Sequence, residues 1–207
     1  MQDEPPILRV AIGHKIAEVE VKSHLDFDLA GKNDDTPQII EEAVRVEYDD
    51  PHLWVQLPAT RFVWISQQAG IVTEFETSPQ LEALSLEAAH ELATQLADLI
   101  TGAHWQLTHR PPVDLNQIKT AVMTPERQQT YELLYGEWIV GTVRVRLTLR
   151  ESGRGLPQQE HTPRFVVNLR WQDKVLQDKM RQVVYHARKE VNGNIHQPLP
   201  LRYHLSQ

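Results

Sequence analysis

"GTVRVRLTLR", residues 141–150, alternates between apolar and polar side chains at nearly every position. Successive side chains of an extended chain point to opposite faces, so this period of two predicts a half-buried β-strand. The two faces carry, respectively, Val143, Val145, Leu147, Leu149 and Arg144, Arg146, Thr148, Arg150. The stretch therefore places a row of arginines on the polar face of a sheet.

The segment "RFVVNLRW", residues 164–171, repeats this pattern, with Phe165 and Trp171 on its apolar side. If the two strands pair, five arginines share one solvated face: Arg144, Arg146, Arg150, Arg164 and Arg170. Like charges directly opposite each other destabilise an antiparallel pair. We expect acidic neighbours, an offset register or an anionic ligand to relieve this repulsion, and the five arginines are candidate binding residues.

The first half of the chain predicts mainly strands, followed by one long helix. Residues 7–21 suggest two extended segments that meet near Gly13, and residues 42–48, 52–57, 61–66 and 71–77 suggest an antiparallel β-meander, because their connections are too short for crossovers. Residues 85–102 predict an amphipathic helix with Ser85 as N-cap and Gly102 as the C′ residue that ends it.

The second half predicts a similar mixture. We expect helices at 114–123, from 125 to about 135, and at 173–193, strands at 138–150 and 164–171, and an edge strand at 198–205. The predicted fold class is α+β, a mainly antiparallel sheet with amphipathic helices packed on one face. Two sheet-plus-helix units are predicted, an acidic β-meander plus helix at 1–109 and a basic helix/β-hairpin/helix unit at 113–207.

Charge is divided unevenly between these halves. Residues 1–109 hold 6 Lys and Arg against 19 Asp and Glu, a net charge of −13, whereas residues 110–207 hold 15 against 9, a net charge of +6. The two values add to the overall −7. Either the halves attract and pack on each other, or the basic half meets an anionic partner.

Several classes of function lack their sequence signals. The chain has no cysteine, which excludes disulfides, thiolate zinc sites and cysteine nucleophiles. Its ten histidines form no His-Glu-x-x-His pair, and there is no Gly-x-Ser-x-Gly elbow and no phosphate-binding loop. We therefore expect no metal site and no cofactor, and an enzyme is the less favoured class.

The sequence also bears on the compartment. No apolar run approaches the roughly 20 residues of a membrane-spanning helix, so we expect a soluble chain. The opening "MQDEPP" has no basic and apolar signal segment, but a polar lead-in of this kind also suits the mature part of an exported, periplasmic protein. A cytoplasmic chain is the alternative.

These observations favour a non-catalytic protein-interaction or inhibitor-type module that binds a protein partner through charge complementarity. Trp105 joins the arginines as a candidate contact residue, because it is the tryptophan that falls in a predicted loop. One alternative is a small hydrolase or transferase whose site is assembled only in three dimensions. A nucleic-acid binder is the other, disfavoured by the acidic isoelectric point and by aromatic residues that lie opposite the arginines.

Overall fold

The structure is a computed structural model that describes residues 4–23, 38–40, 42–50, 54–123, 131–152, 163–176, 178, 179 and 182. The helices and strands in this part are, in chain order, β1 (Ile7–Val10), α1 (Ile16–Ser23), β2 (Gln38–Ile40), β3 (Val44–Tyr48), β4 (Val55–Thr60), β5 (Val63–Gln68), β6 (Ile71–Thr77), α2 (Leu86–Gly102), β7 (Gln106–His109), α3 (Leu115–Met123), β8 (Glu132–Val140), β9 (Val143–Ser152) and β10 (Arg164–Asp173). The predicted α+β class is confirmed.

Seven strands form one large sheet in the order β2-β5-β6-β10-β9-β8-β7, and every neighbouring pair is antiparallel. Its longest pairing joins β9 to β10, the two alternating segments, over their full length. The sheet takes strands from both predicted units, 1–109 and 113–207, because β6 lies beside β10. Strands from both predicted units thus form one continuous sheet. The division of the chain into two units stays a prediction.

A smaller sheet has the order β1-β3-β4, with β1 and β3 parallel and β3 and β4 antiparallel. All four meander strands are present, but β3 and β4 belong to this sheet and β5 and β6 to the large one. The chain passes between the sheets at Thr60, which is fully buried. Its hydroxyl donates to the carbonyl of Ser78 at 2.5 Å and accepts from the amide of Phe62 at 3.0 Å.

The prediction of two extended segments at 7–21 was wrong for the second segment, which is α1. This helix buries Ile16, Val19 and Ser23, at the spacing of one helical face, and leaves Val21 exposed. Of the three apolar residues that alternate in sequence, Val19 is buried, whereas Ala17 and Val21 are exposed; Ile16 and Val19, three apart, supply the apolar side of the helix. Tertiary packing against β1 therefore decides between the two.

The long helix α2 is confirmed, and its N-cap is Ser85, whose side chain accepts from the amide of Ala88 at 3.2 Å. The buried face of α2 packs against β8, β9 and β10. The prediction that Gly102 is the C′ residue was wrong. Gly102 is the last residue of the helix, and Ala103 is its C-cap. The left-handed backbone lies at His104, with φ of 66°.

An aromatic cluster joins the small sheet to the large one. The rings of Phe75 and Trp171, on β6 and β10, stack with centroids 4.4 Å apart and an interplanar angle of 7°. Tyr48 of β3 lies 6.0 Å and 5.9 Å from them, nearly parallel to both. The helix α2 and the small sheet thus cover the same inner face of the large sheet, and the arginine-bearing face lies on the other side.

The second half departs from prediction in two places. The prediction of a helix from 125 to about 135 was wrong for its last residues, because residues 132–140 form β8. The first residues of that predicted helix lie outside the described part of the chain. The strand predicted at 138–150 is two strands, because the chain turns at Gly141, with φ of +54°. The helix α3 is confirmed, with Asp114 accepting from the amide of Asn116 at 2.8 Å.

The C-terminal predictions fall largely outside the described residues. Residues 174–176 are helical, at the predicted start of the 173–193 helix, and the carboxylate of Asp173 accepts from the amide of Leu176 at 3.0 Å. Residues 183–193 and the predicted strand 198–205 lie outside the described part. No helix in that part is long and apolar enough to cross a membrane.

Candidate binding face of the large sheet

The outer face of the large sheet carries a row of alternating charge that crosses four strands. Glu76 of β6 lies opposite Arg170 of β10, Arg170 opposite Arg146 of β9, and Arg146 opposite Glu137 of β8. The two arginines that the sequence placed on one face are therefore direct cross-strand neighbours. A carboxylate stands on each side of the pair.

Ion pairs neutralise the central arginines of this face. Glu137 binds the guanidinium of Arg146, with Nε 2.7 Å from Oε2, and lies 3.8 Å from Nε of Arg144. Arg170 pairs with Glu74 and lies 3.9 Å from a carboxylate oxygen of Glu76. Acidic neighbours, one of the three expected forms of relief, thus balance the repulsion at these positions.

The other two predicted arginines are in a different electrostatic environment. Arg150 and Arg164, at the end of β9 and the start of β10, are exposed and form no ion pair with any residue that the structure describes. Arg61, in the tight connection between β4 and β5, is likewise exposed and unpaired there. We refer to Arg61, Arg150 and Arg164 as the free arginines.

A groove opens beside the free arginines, because β6 leaves β10 after Thr77. The segment 78–84 takes its place: Leu84 and Phe165 exchange two backbone hydrogen bonds of 2.8 Å. The side chain of Gln80 accepts from the amide of Val167 at 2.8 Å and donates to the carbonyl of Phe165 at 3.1 Å. The side chain of Gln80 thus takes the place of β6 as the hydrogen-bond partner of β10, and the segment 78–84 forms one wall of the groove.

The groove has a volume of about 350 Å³ and mixed chemistry. Its lining includes two free arginines, two carboxylates, and apolar side chains on the floor and walls: Arg61, Arg150, Glu76, Glu82, Phe62, Leu81 and Val166. Phe62 and Leu81 remain 37% and 48% exposed and lie in the same lining, so together they give the groove a continuous apolar contribution. Such a lining suits a ligand that has both charged groups and apolar surface.

Glu76 stands between the groove and the paired arginines. Burial raises the pKa of Glu76, and the nearby Glu74 and Glu132 add to this effect, whereas Arg170 and Arg150 oppose it. The ionised carboxylate is therefore destabilised in the folded protein.

We expect Glu76→Gln to raise the free energy of unfolding at neutral pH. A carboxyl whose pKa is raised by folding costs stability above its folded pKa, and this cost disappears below its ordinary value of 4.5. Urea unfolding at neutral pH and at about pH 4 should therefore show a gain that shrinks on acidification. Glu82→Gln, at an exposed position of the same groove, is the control. A variant less stable than the wild type at neutral pH would contradict this account.

Trp105 does not belong to this face. It lies in the loop that the sequence indicated, but only 3% of its surface is exposed, and its ring packs edge-on against Tyr48 at 5.5 Å and 70°. The expected role as a surface contact is therefore corrected to one in the core. The positive φ of His104 sets the direction of the chain immediately before Trp105.

Sequence inspection missed Arg61, Phe62 and Leu81. Arg61 and Phe62 form the two-residue connection between β4 and β5, where the only signal in the sequence is an arginine followed by an aromatic residue. Among the described residues, no group of three or more histidines, aspartates or glutamates is arranged to hold a metal ion.

In comparisons with protein-family models, curated proteins and solved structures, no match to this chain is found. The outer face and its groove therefore have to be interpreted from their own chemistry.

Proposed function

We propose that this protein is a non-catalytic interaction or inhibitor-type module that binds an acidic segment of a protein partner through the free arginines. The observation that supports this most directly is the contrast along one face. Arg144, Arg146 and Arg170 lie within 4 Å of a carboxylate, whereas Arg150 and Arg164, in the same two strands, form no ion pair within the described chain. Glu132 of β8 lies opposite Arg150 in the register but forms no ion pair with it.

Guanidinium groups suit this role because they bind carboxylates through two parallel hydrogen bonds in a fixed geometry. An exposed arginine without an internal partner keeps all of its donors for a ligand. The chain as a whole has a net charge of −7. A local cluster of positive charge attracts an acidic partner to this part of the surface, and the negative charge of the rest of the chain repels the partner elsewhere. This combination favours specificity and fast association.

A protein partner fits this surface better than a nucleic acid does. Nucleic-acid binding draws its affinity from many phosphate contacts along a positive track. Here the positive region is short, since Glu74, Glu76 and Glu137 neutralise the adjoining part of the face. Three free arginines match a few carboxylates more closely than they match a polyphosphate backbone.

We expect the double variant Arg150→Glu/Arg164→Glu to bind a fluorescein-labelled, aspartate-rich peptide at least roughly tenfold more weakly than the wild type, because reversing a rim charge turns attraction into repulsion. Fluorescence anisotropy at low and moderate salt measures this, and wild-type affinity should fall as salt rises. Arg110→Glu is the matched control, since Arg110 is an exposed arginine at 3.4 Å from Asp98 in another part of the chain.

Equal affinity of the double variant and the Arg110→Glu control would overturn the proposed function. Tighter binding of a labelled single-stranded oligonucleotide than of the peptide, lost in the same double variant, would reassign the face to nucleic acid.

A further inference from the structure

We infer that the groove beside the free arginines binds one large apolar side chain of the acidic segment, so that the recognised segment combines an aliphatic or aromatic residue with flanking carboxylates. This inference rests on the proposed function and adds the chemistry of its partner. It assigns separate tasks to two kinds of residue, with arginines attracting the segment and the groove holding its apolar anchor.

The dimensions of the groove set the size of its occupant. A volume of about 350 Å³ is at the lower end of sites that bind small molecules, roughly 300–1,000 Å³. It therefore has room for one large side chain and its backbone. A broad apolar interface would need a wider and flatter surface.

The groove walls provide the apolar contact. Phe62 lines the groove, as does Leu81 on the segment 78–84, and both side chains are partly exposed. Half-buried Val166 of β10 adds apolar surface to the lining. Filling the groove would remove these side chains from water, and an apolar anchor in a small pocket is the usual centre of a binding interface.

The shape of the groove is fixed before any ligand arrives. Gln80 ties the segment 78–84 to the backbone of β10, and the Ser78 hydroxyl is hydrogen-bonded to the side chain of Asn168 across the groove lining. A preformed site avoids the entropic cost of ordering a loop on binding. This favours recognition of a short segment, which has little contact area with which to offset such a cost.

Charge selects an acidic occupant. Arg61 and Arg150 both line the groove and form no ion pair in the described chain. Of the two carboxylates in the lining, Glu76 already faces Arg170 at 3.9 Å, and Glu82 is the other. A carboxylate on either side of an apolar residue would reach guanidinium groups while the apolar side chain enters the groove. Arg164 lies opposite Ser152 of the lining and adds a third guanidinium beside the groove, so the balance of charge favours an acidic segment over a basic one.

The experiment uses short synthetic peptides that carry aspartates around a central Phe, Leu or Gly, with anisotropy as the readout. For the wild-type full chain, the Phe or Leu peptide should bind roughly tenfold more tightly than the Gly peptide. In Leu81→Ser and in Phe62→Ser this preference should fall to about twofold or less, with little change in binding of the Gly peptide. Leu99→Ser is the matched control, because Leu99 is 42% exposed on α2 and does not line the groove.

The outcomes separate the two proposals. If acidic peptides bind and depend on Arg150 and Arg164, but Phe, Leu and Gly peptides bind equally, the groove inference is wrong and the proposed function stands. If no acidic peptide binds, both are wrong. Loss of the preference in Leu99→Ser as well would also overturn the inference, and circular dichroism of each variant identifies any that fails to fold.

A second copy of the chain is the rival occupant. Sedimentation velocity of the wild type and of Leu81→Ser addresses it directly. A monomer at all concentrations agrees with a partner segment, whereas self-association that Leu81→Ser abolishes would assign the groove to another copy and overturn the inference.

Discussion

Trp171→Ala is expected to lower the free energy of unfolding by about 3–5 kcal/mol, the range typical of a large aromatic residue removed from a core. Trp171 is almost completely buried, and its ring stacks on Phe75 at 4.4 Å and faces Tyr48 at 5.9 Å. These three side chains come from β10, β6 and β3, so the substitution removes one of the two ring contacts that Tyr48 makes with the large sheet, as well as the stacking within that sheet.

Urea unfolding followed by circular dichroism measures this effect, with Trp54→Ala as the control. Trp54 is 55% exposed, so its loss should change the free energy of unfolding by about 0.5 kcal/mol or less. Similar stabilities for the two variants would show that the aromatic cluster does not hold the sheets together. Because β10 also carries Arg164 and Arg170, a loss of packing at Trp171 would also disturb the outer face of the large sheet.

The sequence predicts best where a local pattern is both long and unambiguous. The alternation at 143–149 and 165–171 gave two neighbouring strands with the correct faces, and Ser85 gave the start of α2. At 16–23, by contrast, the apolar residues suit a strand or a helix equally. Packing on β1 selects the helix, and no local signal carries that information.

The candidate site was predictable only in part. The common face of the five arginines follows from strand periodicity, but the partner of each does not. Arg170 meets Glu74, 96 residues away, because β6 and β10 are neighbours in the large sheet. Such pairing depends on a non-local register, so the sequence alone does not separate Arg170, which is paired, from Arg150, which is free in the described chain.

The unequal charge of the two halves has a physical counterpart on this face. The first half supplies Glu74 and Glu76 and the second supplies Arg170, so the halves do attract each other where their strands meet. At the centre of the face, this agrees with the interpretation that the two halves attract and pack on each other. The partner-binding interpretation keeps its support only at the open end, where β6 has diverged and neither Arg150 nor Arg164 forms an ion pair with a residue of the described chain.

Gly136→Ala is expected to cost about 3 kcal/mol or more, because it overpacks a site that has no room to relax. A Cβ at this position would lie 2.7 Å and 2.9 Å from Cζ3 and Cζ2 of Trp138, and nearer still to Cη2. The Trp138 ring is fully buried, and its Nε1 donates to the hydroxyl of Thr101 at 3.0 Å. Relief therefore requires a shift of β8, at the irregular pairing between Leu134 and Gly136, against α2.

Gly102→Ala is the matched glycine control, with an expected effect of opposite sign. A Cβ there meets nothing within 4 Å. Gly102 is the last residue of α2, and its φ is not positive. Alanine should therefore stabilise the protein by roughly 0.5–1 kcal/mol through its higher helix propensity. Had Gly102 been the C′ residue, with left-handed backbone, alanine would destabilise the protein instead. Thermal unfolding of the two variants thus tests the tight contact under Trp138 and the true end of α2 together. Destabilisation by Gly102→Ala, or tolerance of Gly136→Ala, would each contradict the corresponding backbone geometry.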